Sequence, residues 1–490
     1  MNNHQTLARE ATRLEGTGLT CHRLADLVRT QAPIDVDTAA VERVAQSHAA
    51  IASAATNRPV YGRTTGVGAN RSIAVEGDRQ GTDVRLLRSH GTGSGPWLPS
   101  AEVRAAMIVR LNQLLLGGSG MHQDIVDAFV ATLNGGTLPR VHAHGSIGTG
   151  DLSAFGEIAL GLMGEAQLDD GTAHTTWQPH EGDALPLIST NAMTIAKGGL
   201  LTARLEEWLE RYARVGAMSL MAVHGSMEPF APAANDAHPH PGQLAVARTM
   251  NRLLSDERWE SERVQDSYGF RALPQVAGAL AHAIELQTRA VETELNSAAE
   301  NPFVSIESRD VFHNANFHTI ELALAVDHTK LALSSAAHLS LARLNDLSNP
   351  AMTGFSPFLS VGEPGSSGIM LLEYNAAAAL SRLRTAAQPS SLASVVISRG
   401  TEDHASFSTQ AVDQLGQCLE AASVVLACEL IAGVRALTLQ KREPRPDTDL
   451  GRCFREAVPL LGTDDLGDRS LSDYLANAIQ YITTTTVSGS

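Results

Sequence analysis

A mainly α protein, built as a bundle of long helices with a loop-rich N-terminal portion, is the fold this sequence predicts. Three observations predict it. Apolar residues recur with a period near 3.6; alanine- and leucine-rich stretches run almost free of proline; and few runs alternate with period two.

The elements follow in chain order. Val103, Met107, Leu111 and Leu114 recur at helical steps, and Ile125, Phe129 and Leu133 repeat the pattern on a segment that stops at Gly135-Gly136. Both read as amphipathic helices. Further stretches around 197–222, 276–299, 316–346, 367–386 and 408–438 are longer and suit a bundle better than a parallel sheet. β-Branched clusters are short, as in Ala393 to Ser398. Three glycine-rich or polar loops, Pro59 to Ser94, Pro139 to Ser153 and Ala166 to Thr194, are long enough to be functional. The expected organisation is therefore residues 1–195 carrying active-site loops and residues 196–490 forming the long-helix bundle.

Composition narrows the function classes. The 490 residues are 43% hydrophobic and 18% charged, which excludes disorder, because such a chain buries enough surface to offset its conformational entropy. With 53 acidic against 37 basic residues, the formal charge of -16 argues against nucleic acid or an anionic membrane surface as partner. Met1 to Arg13 are polar and mixed in charge, with no apolar stretch behind a basic head, and point to a cytoplasmic protein. The most apolar run, Ala422 to Val434, is short and contains Glu429, so it reads as a buried helix. Cys21, Cys418, Cys428 and Cys453 lack the spacing of a zinc site or a disulfide framework.

Chemistry is expected where polar residues interrupt glycine-rich sequence. Tyr61-Gly-Arg-Thr-Thr-Gly-Val-Gly68 sets a phenol on a loop able to approach a ligand closely, although a packed tyrosine in a structural turn is the plainer reading of that position alone. Gly66-Val67-Gly68 lacks the strand and third glycine of a dinucleotide fingerprint. His90 reads as a binding group, a proton shuttle or a satisfied structural histidine. The pairs His142/His144 and His238/His240 show no acidic or thiol partner in register, so no metal is expected. Tyr268 and Arg271 stand three apart, one turn of a helix, where the guanidinium can clamp a carboxylate or else pair with Asp266. Thr401-Glu402-Asp403-His404 gathers acid and base groups after a turn, and a solvated charged loop is the commoner fate of such a run.

Taken together and in order, these segments resemble the histidine and phenylalanine ammonia-lyase family. The resemblance rests on Tyr61 to Gly68, Ser89-His90-Gly91, Gly145-Ser-Ile-Gly with Gly150-Asp-Leu, His240-Pro-Gly-Gln243, Gln265 to Gln275, Asn301-Pro302, Asn316-Phe-His318, Ser367-Gly368 and Glu402-Asp403-His404. It implies a helical subunit of a homotetramer, with loops of three chains meeting at each site, and elimination of an amine from an aromatic or imidazole amino acid. Carried over, Tyr61 is the catalytic tyrosine on a lid loop and Arg271 the carboxylate clamp. Tyr268 lies near the reacting centre, and Gln265 and Asn301 are supporting polar groups. Phe317 lines the site, Glu402 lies near the substrate ring, and His90 after a serine points to an imidazole ring.

One departure bears on the chemistry. The family makes a methylidene-imidazolone electrophile by cyclising Ala-Ser-Gly, whereas this chain reads Gly145-Ser-Ile-Gly-Thr-Gly-Asp-Leu152, one residue short, with Gly148-Thr149-Gly150 in the triplet's place. The loop that supports the electrophile is also shortened, to Leu187-Ile-Ser-Thr-Asn191, where Asn191 partly replaces the lost amide. The expectation is a carbon-nitrogen lyase without the standard electrophile and without metal or nucleotide, acting on an easier substrate such as an N-substituted amino acid. Its alternatives are a non-catalytic binding member of the fold, an aminomutase, or an enzyme forming carbon-nitrogen bonds.

Overall fold

The structure, a computed structural model, describes residues 11–261, 263–462 and 465–484. Residues 1–10, most of the polar N-terminal segment, lie outside this description. The chain divides into two compact units. The first comprises the chain up to Ala203 with Thr288–Leu324 and Ser390–Val412; the second comprises Arg204–Gln287, Ala325–Pro389 and the chain from Asp413.

Helices dominate as expected. The long ones are Thr38–Asn57, Ala192–Ala222, Leu273–Leu295, Ile320–Ser348, Met370–Ala386 and Ser408–Leu439, the first of them not expected from the sequence. Strand structure among the described residues amounts to three short ribbons. Thr12–Leu14 pairs in parallel with Ile34–Val36, while Ser94–Trp97 with His142–His144 and Phe303–Ser305 with Asp310–Phe312 are antiparallel.

Helix Asp124–Gly135 matches its sequence. Ile125, Phe129 and Leu133 are buried, and Gly136 caps its end at φ 80°, a left-handed conformation that glycine adopts without a Cβ penalty. Helix Ser100–Leu114 corrects the expectation. It has no solvated face, because every residue from Val103 to Leu114 is buried. Its polar residues find partners distant in sequence: Arg110 pairs with Glu300 at 2.8 Å, and Asn112 Nδ2 donates to the carbonyl oxygen of Leu295 at 3.0 Å. Ser408–Leu439 is, among the described residues, the helix long and apolar enough to cross a bilayer, but 83% of its most apolar window is buried inside the protein. All four cysteines are buried and unbridged.

Candidate active site

In the first unit, the loop after Asn57 carries Tyr61. Glycine is required next to it: Gly62 has φ 70°, and a Cβ there would lie 2.0 Å from the Leu185 side chain. The Tyr61 hydroxyl accepts a hydrogen bond from the Gly68 amide at 2.7 Å, closing the loop on itself, and the Tyr61 amide donates to His313 Nε2 at 3.2 Å. Burial raises the phenol's pKa, and the nearby charge of Glu402 raises it further, against the opposing Gly68 hydrogen bond.

Glu402 is placed by a bridge between Ile397 and its own backbone. Arg71 Nη1 donates to the Thr401 hydroxyl at 2.6 Å, fastening the end of the tyrosine loop to the residue before Glu402. Glu402 Oε2 is buried with no hydrogen-bond partner. Such an oxygen costs free energy unless a ligand meets it.

His90 ends helix Arg79–His90. Its Nδ1 lies 2.9 Å from the Leu86 carbonyl oxygen, which can only accept, so Nδ1 is the nitrogen that donates and Nε2 is the one left to a ligand. Helix Leu152–Leu162 packs on this end where a Cβ on Gly156 would fall 2.6 Å from the Gly91 nitrogen.

The same helix begins just after Gly148-Thr149-Gly150. Gly148 is left-handed at φ 80°, and its surroundings are filled: an added Cβ would lie 2.1 Å from Ser406 Oγ and 2.8 Å from Ser408 Oγ. Ser406 Oγ donates to the Gly148 carbonyl oxygen at 3.0 Å, and Thr319 Oγ1 lies 2.7 Å from Ser408 Oγ. This hydroxyl cradle was missed by sequence reasoning, although the dense run Ser406-Phe-Ser-Thr409 was its signal. The Gly150 amide donates to Asn191 Oδ1 at 3.1 Å, and the Asn191 side-chain amide donates to the Phe317 carbonyl oxygen. Asn191 therefore bridges the divergent segment to Phe317. Asn301 Oδ1 accepts from the Asn314 amide at 3.0 Å, holding the stretch that leads to Phe317.

His318 and His404, also overlooked as a pair, place Nε2 and Nδ1 2.9 Å apart. Burial, and then the neighbouring His404, lower the His318 pKa. His142 does have an acidic partner, contrary to the reading of its sequence neighbourhood: Nδ1 lies 2.6 Å from Glu157 Oε1, fifteen positions on. That carboxylate also accepts from the His142 amide and serves the ribbon.

The second unit holds Gln265, Tyr268 and Arg271. Helix Tyr268–Arg271 stacks the guanidinium over the phenol ring with its carbon 4.0 Å from the ring centroid. Asp266 is not its partner, because that carboxylate accepts from Arg263 Nε at 2.8 Å and the Ser226 amide at 2.5 Å. Among the described residues Arg271 forms no ion pair, and its buried Nε has no hydrogen-bond partner. Gln265 is exposed, and Tyr268 is 68% exposed.

Comparison with known proteins gives one answer. The family model described as aromatic amino acid lyase matches residues 19–458. The histidine ammonia-lyase of Deinococcus radiodurans is 31% identical over 91% of this chain and 89% of its own, and the probable histidine ammonia-lyase of Thermoplasma volcanium is 30% identical over 89% and 91%. Among solved structures, tyrosine aminomutase from Streptomyces globisporus is 28% identical, with TM-score 0.89 and 97% of both chains covered. Ergothionase from Treponema denticola, solved with desmethyl-ergothioneine sulfonic acid, shares the fold at TM-score 0.89 and 24% identity, over 96% of this chain and 98% of its own. With a helical fold, a family match along most of its length and histidine ammonia-lyase relatives at 30–31% identity, the chain belongs to the aromatic amino acid lyase family, as an enzyme of the ammonia-lyase type.

Proposed function

We propose that the enzyme eliminates an amine from an imidazole or aromatic amino acid, or an N-substituted derivative of one, to give an arylacrylate without a standard methylidene-imidazolone. The observation that carries the reading is the buried, unpartnered Glu402 Oε2 within electrostatic reach of the Tyr61 phenol. An imidazole N–H satisfies that oxygen; a plain phenyl ring does not.

The residues at the triplet do not fit the family's electrophile. Ser406 occupies the space that an alanine side chain at position 148 needs, threonine stands in place of serine, and the Gly150 nitrogen is engaged by Asn191. The proposed chemistry therefore uses side chains alone. The Tyr61 phenolate takes the β-proton, the C–H electrons become the new π bond, and the amine leaves with the electrons of its bond to the α-carbon. Arg271 holds the carboxylate, with Tyr268 and Gln265 beside it. Glu402 and His90 hold the ring, and Asn301 and Phe317 shape the pocket. General acid-base catalysis supplies only ~10²- to 10⁴-fold, so a quaternary ammonium, which leaves as a neutral amine without needing a proton, is the better substrate class.

Within this reading the enzyme is a homotetramer whose loops, from residues 1–195, meet a bundle formed by residues 196–490 of several chains. The exposure of Gln265 and Tyr268 in the single chain supports it. An aminomutase is the second reading, favoured by the likeness to the Streptomyces tyrosine aminomutase; its product is a β-amino acid.

The test is product absorbance in the near ultraviolet with histidine, its trimethylated betaine, the thiol derivative of that betaine, phenylalanine and tyrosine. An acrylate chromophore with an imidazole substrate is expected. Its absence across the set, with no β-amino acid formed, overturns the substrate range. An intact mass two waters below that of the sequence overturns the electrophile-free chemistry.

A further inference from the structure

On the side of the first unit where the Ala166–Thr194 loop returns to the start of helix Asp124–Gly135, three metal-binding side chains converge. His180 Nε2 lies 3.0 Å from Asp124 Oδ2, and His122 Nδ1 lies 3.2 Å from Asp124 Oδ1. The ligand atoms of all three lie within 4.8 Å of one another. The two imidazole rings are 3.9 Å apart and tilted by 33°. We propose that His122, Asp124 and His180 form a divalent-metal site, suited to zinc, that clips this loop to the helix start.

The two histidine–carboxylate spacings fit the ion. Bonds of about 2.0–2.1 Å at 90–109° set neighbouring ligand atoms roughly 2.9–3.4 Å apart. Two imidazoles and a carboxylate are a donor set that zinc accepts, with water completing the shell at partly exposed side chains.

The second observation lies behind the ligands. Asp183 is fully buried, and its carboxylate accepts the His122 amide on Oδ1 and the His180 amide on Oδ2, each at 2.9 Å. One carboxylate thus fixes the backbones of two ligands that lie far apart in sequence. His48 adds a wall, its ring edge-on to His122 at 5.2 Å and its Nδ1 held 3.0 Å from the Gly120 carbonyl oxygen.

The clip bears on the tyrosine loop. Gly182, two residues after His180, leaves room for Arg63, whose Cζ lies 2.9 Å from where a Cβ would be, and Leu185 fills the space beside Gly62. Fixing His180 fixes the floor on which the Tyr61 loop rests.

The experiment titrates zinc chloride into the EDTA-stripped full-length protein by calorimetry, for the wild type, His180→Ala, Asp124→Asn, Asp183→Asn and, as control, His144→Ala. One zinc per chain is expected, with affinity falling at least ~10-fold in the two ligand variants, ~10- to 100-fold in Asp183→Asn and unchanged in the control. Zinc is also expected to protect the 166–183 loop from limited proteolysis in the wild type and not in Asp124→Asn. Should His180→Ala fail to fold, Asp124→Asn, which is expected to melt in EDTA as the wild type does, decides alone. Absence of saturable binding, or wild-type affinity in the folded ligand variants, overturns the proposal.

Discussion

Tyr61 sits where its own chemistry is hardest. Burial, and to a lesser degree the Glu402 charge, make the phenol a weaker acid than usual, so at neutral pH it is protonated and its base form is scarce. If the phenolate takes the β-proton, kcat/KM climbs with pH through neutrality and is still climbing at the ordinary tyrosine value of 10.0. Replacing Glu402 by glutamine removes a negative charge that opposes ionisation. The rising limb of that profile moves to lower pH even as KM for an imidazole substrate rises, and a limb that stays in place refutes the pairing. Tyr61→Phe lowers kcat by ~10²- to 10⁴-fold with KM nearly unchanged. Gly148 allows a separate check on the filled cradle. Gly148→Ala meets Ser406 Oγ at 2.1 Å and must adopt φ 80°, so it lowers stability by about 1–3 kcal/mol. Adding Ser406→Ala recovers the steric share and leaves the backbone share, as paired thermal melts will show.

Glu294 lies one residue before the end of helix Leu273–Leu295, where burial raises its carboxyl from 4.5 to about 7. Between those values the folded chain holds a proton that the unfolded chain has released. Its contribution to stability is thus fully present below 4.5 and lost as pH rises through about 7. Glu294→Gln is expected to melt above the wild type at pH 8, by a margin of order 1–3 kcal/mol that closes at acid pH. An equal margin at both pH values excludes the titration. At this scale the sequence was a good guide to some elements and silent on others. The five long helices expected from the sequence were legible because apolar periodicity and scarce proline act locally, and each overlaps its expected stretch, whereas the 20-residue helix Thr38–Asn57 was not anticipated. The burial of Arg110 and Asn112 was not, because Glu300 and Leu295, which satisfy them, lie far along the chain. Strands of three or four residues are too short to display alternation. The site motifs were readable as ordered segments, whereas the Ser406 cradle and the trio of His122, Asp124 and His180 arise only when loops meet. The expectation of no metal came from close histidine pairs, and the proposed clip revises it by bringing His180 from far along the chain to His122 and Asp124.

Association of copies must overcome charge. Each chain carries -16, so two copies associate more readily where both present a neutral surface. Within the second unit such a surface runs along helix Ile320–Ser348, where His328, Leu331, Ser335, His338, Ala342 and Asn345 are exposed at steps of three and four, with no acidic or basic side chain beyond the two histidines. Leu331 is 50% exposed, and in the same unit Leu371 and Tyr374, one turn apart on Met370–Ala386, are 53% and 65% exposed. A stripe of this spacing is what a helix from another copy covers. Leu331→Asp and Tyr374→Asp place a charge where the proposed tetramer leaves no water, and buried unpaired charge is far costlier than the lost apolar contact. Both variants are expected to fold as the wild type does by circular dichroism and to fall from four chains of 51.9 kDa to smaller species by light scattering. Activity then separates two arrangements. A site completed by loops of neighbouring chains loses turnover in proportion to the tetramer lost, whereas dissociated chains that retain full kcat show that Arg271 and Tyr61 of one chain suffice.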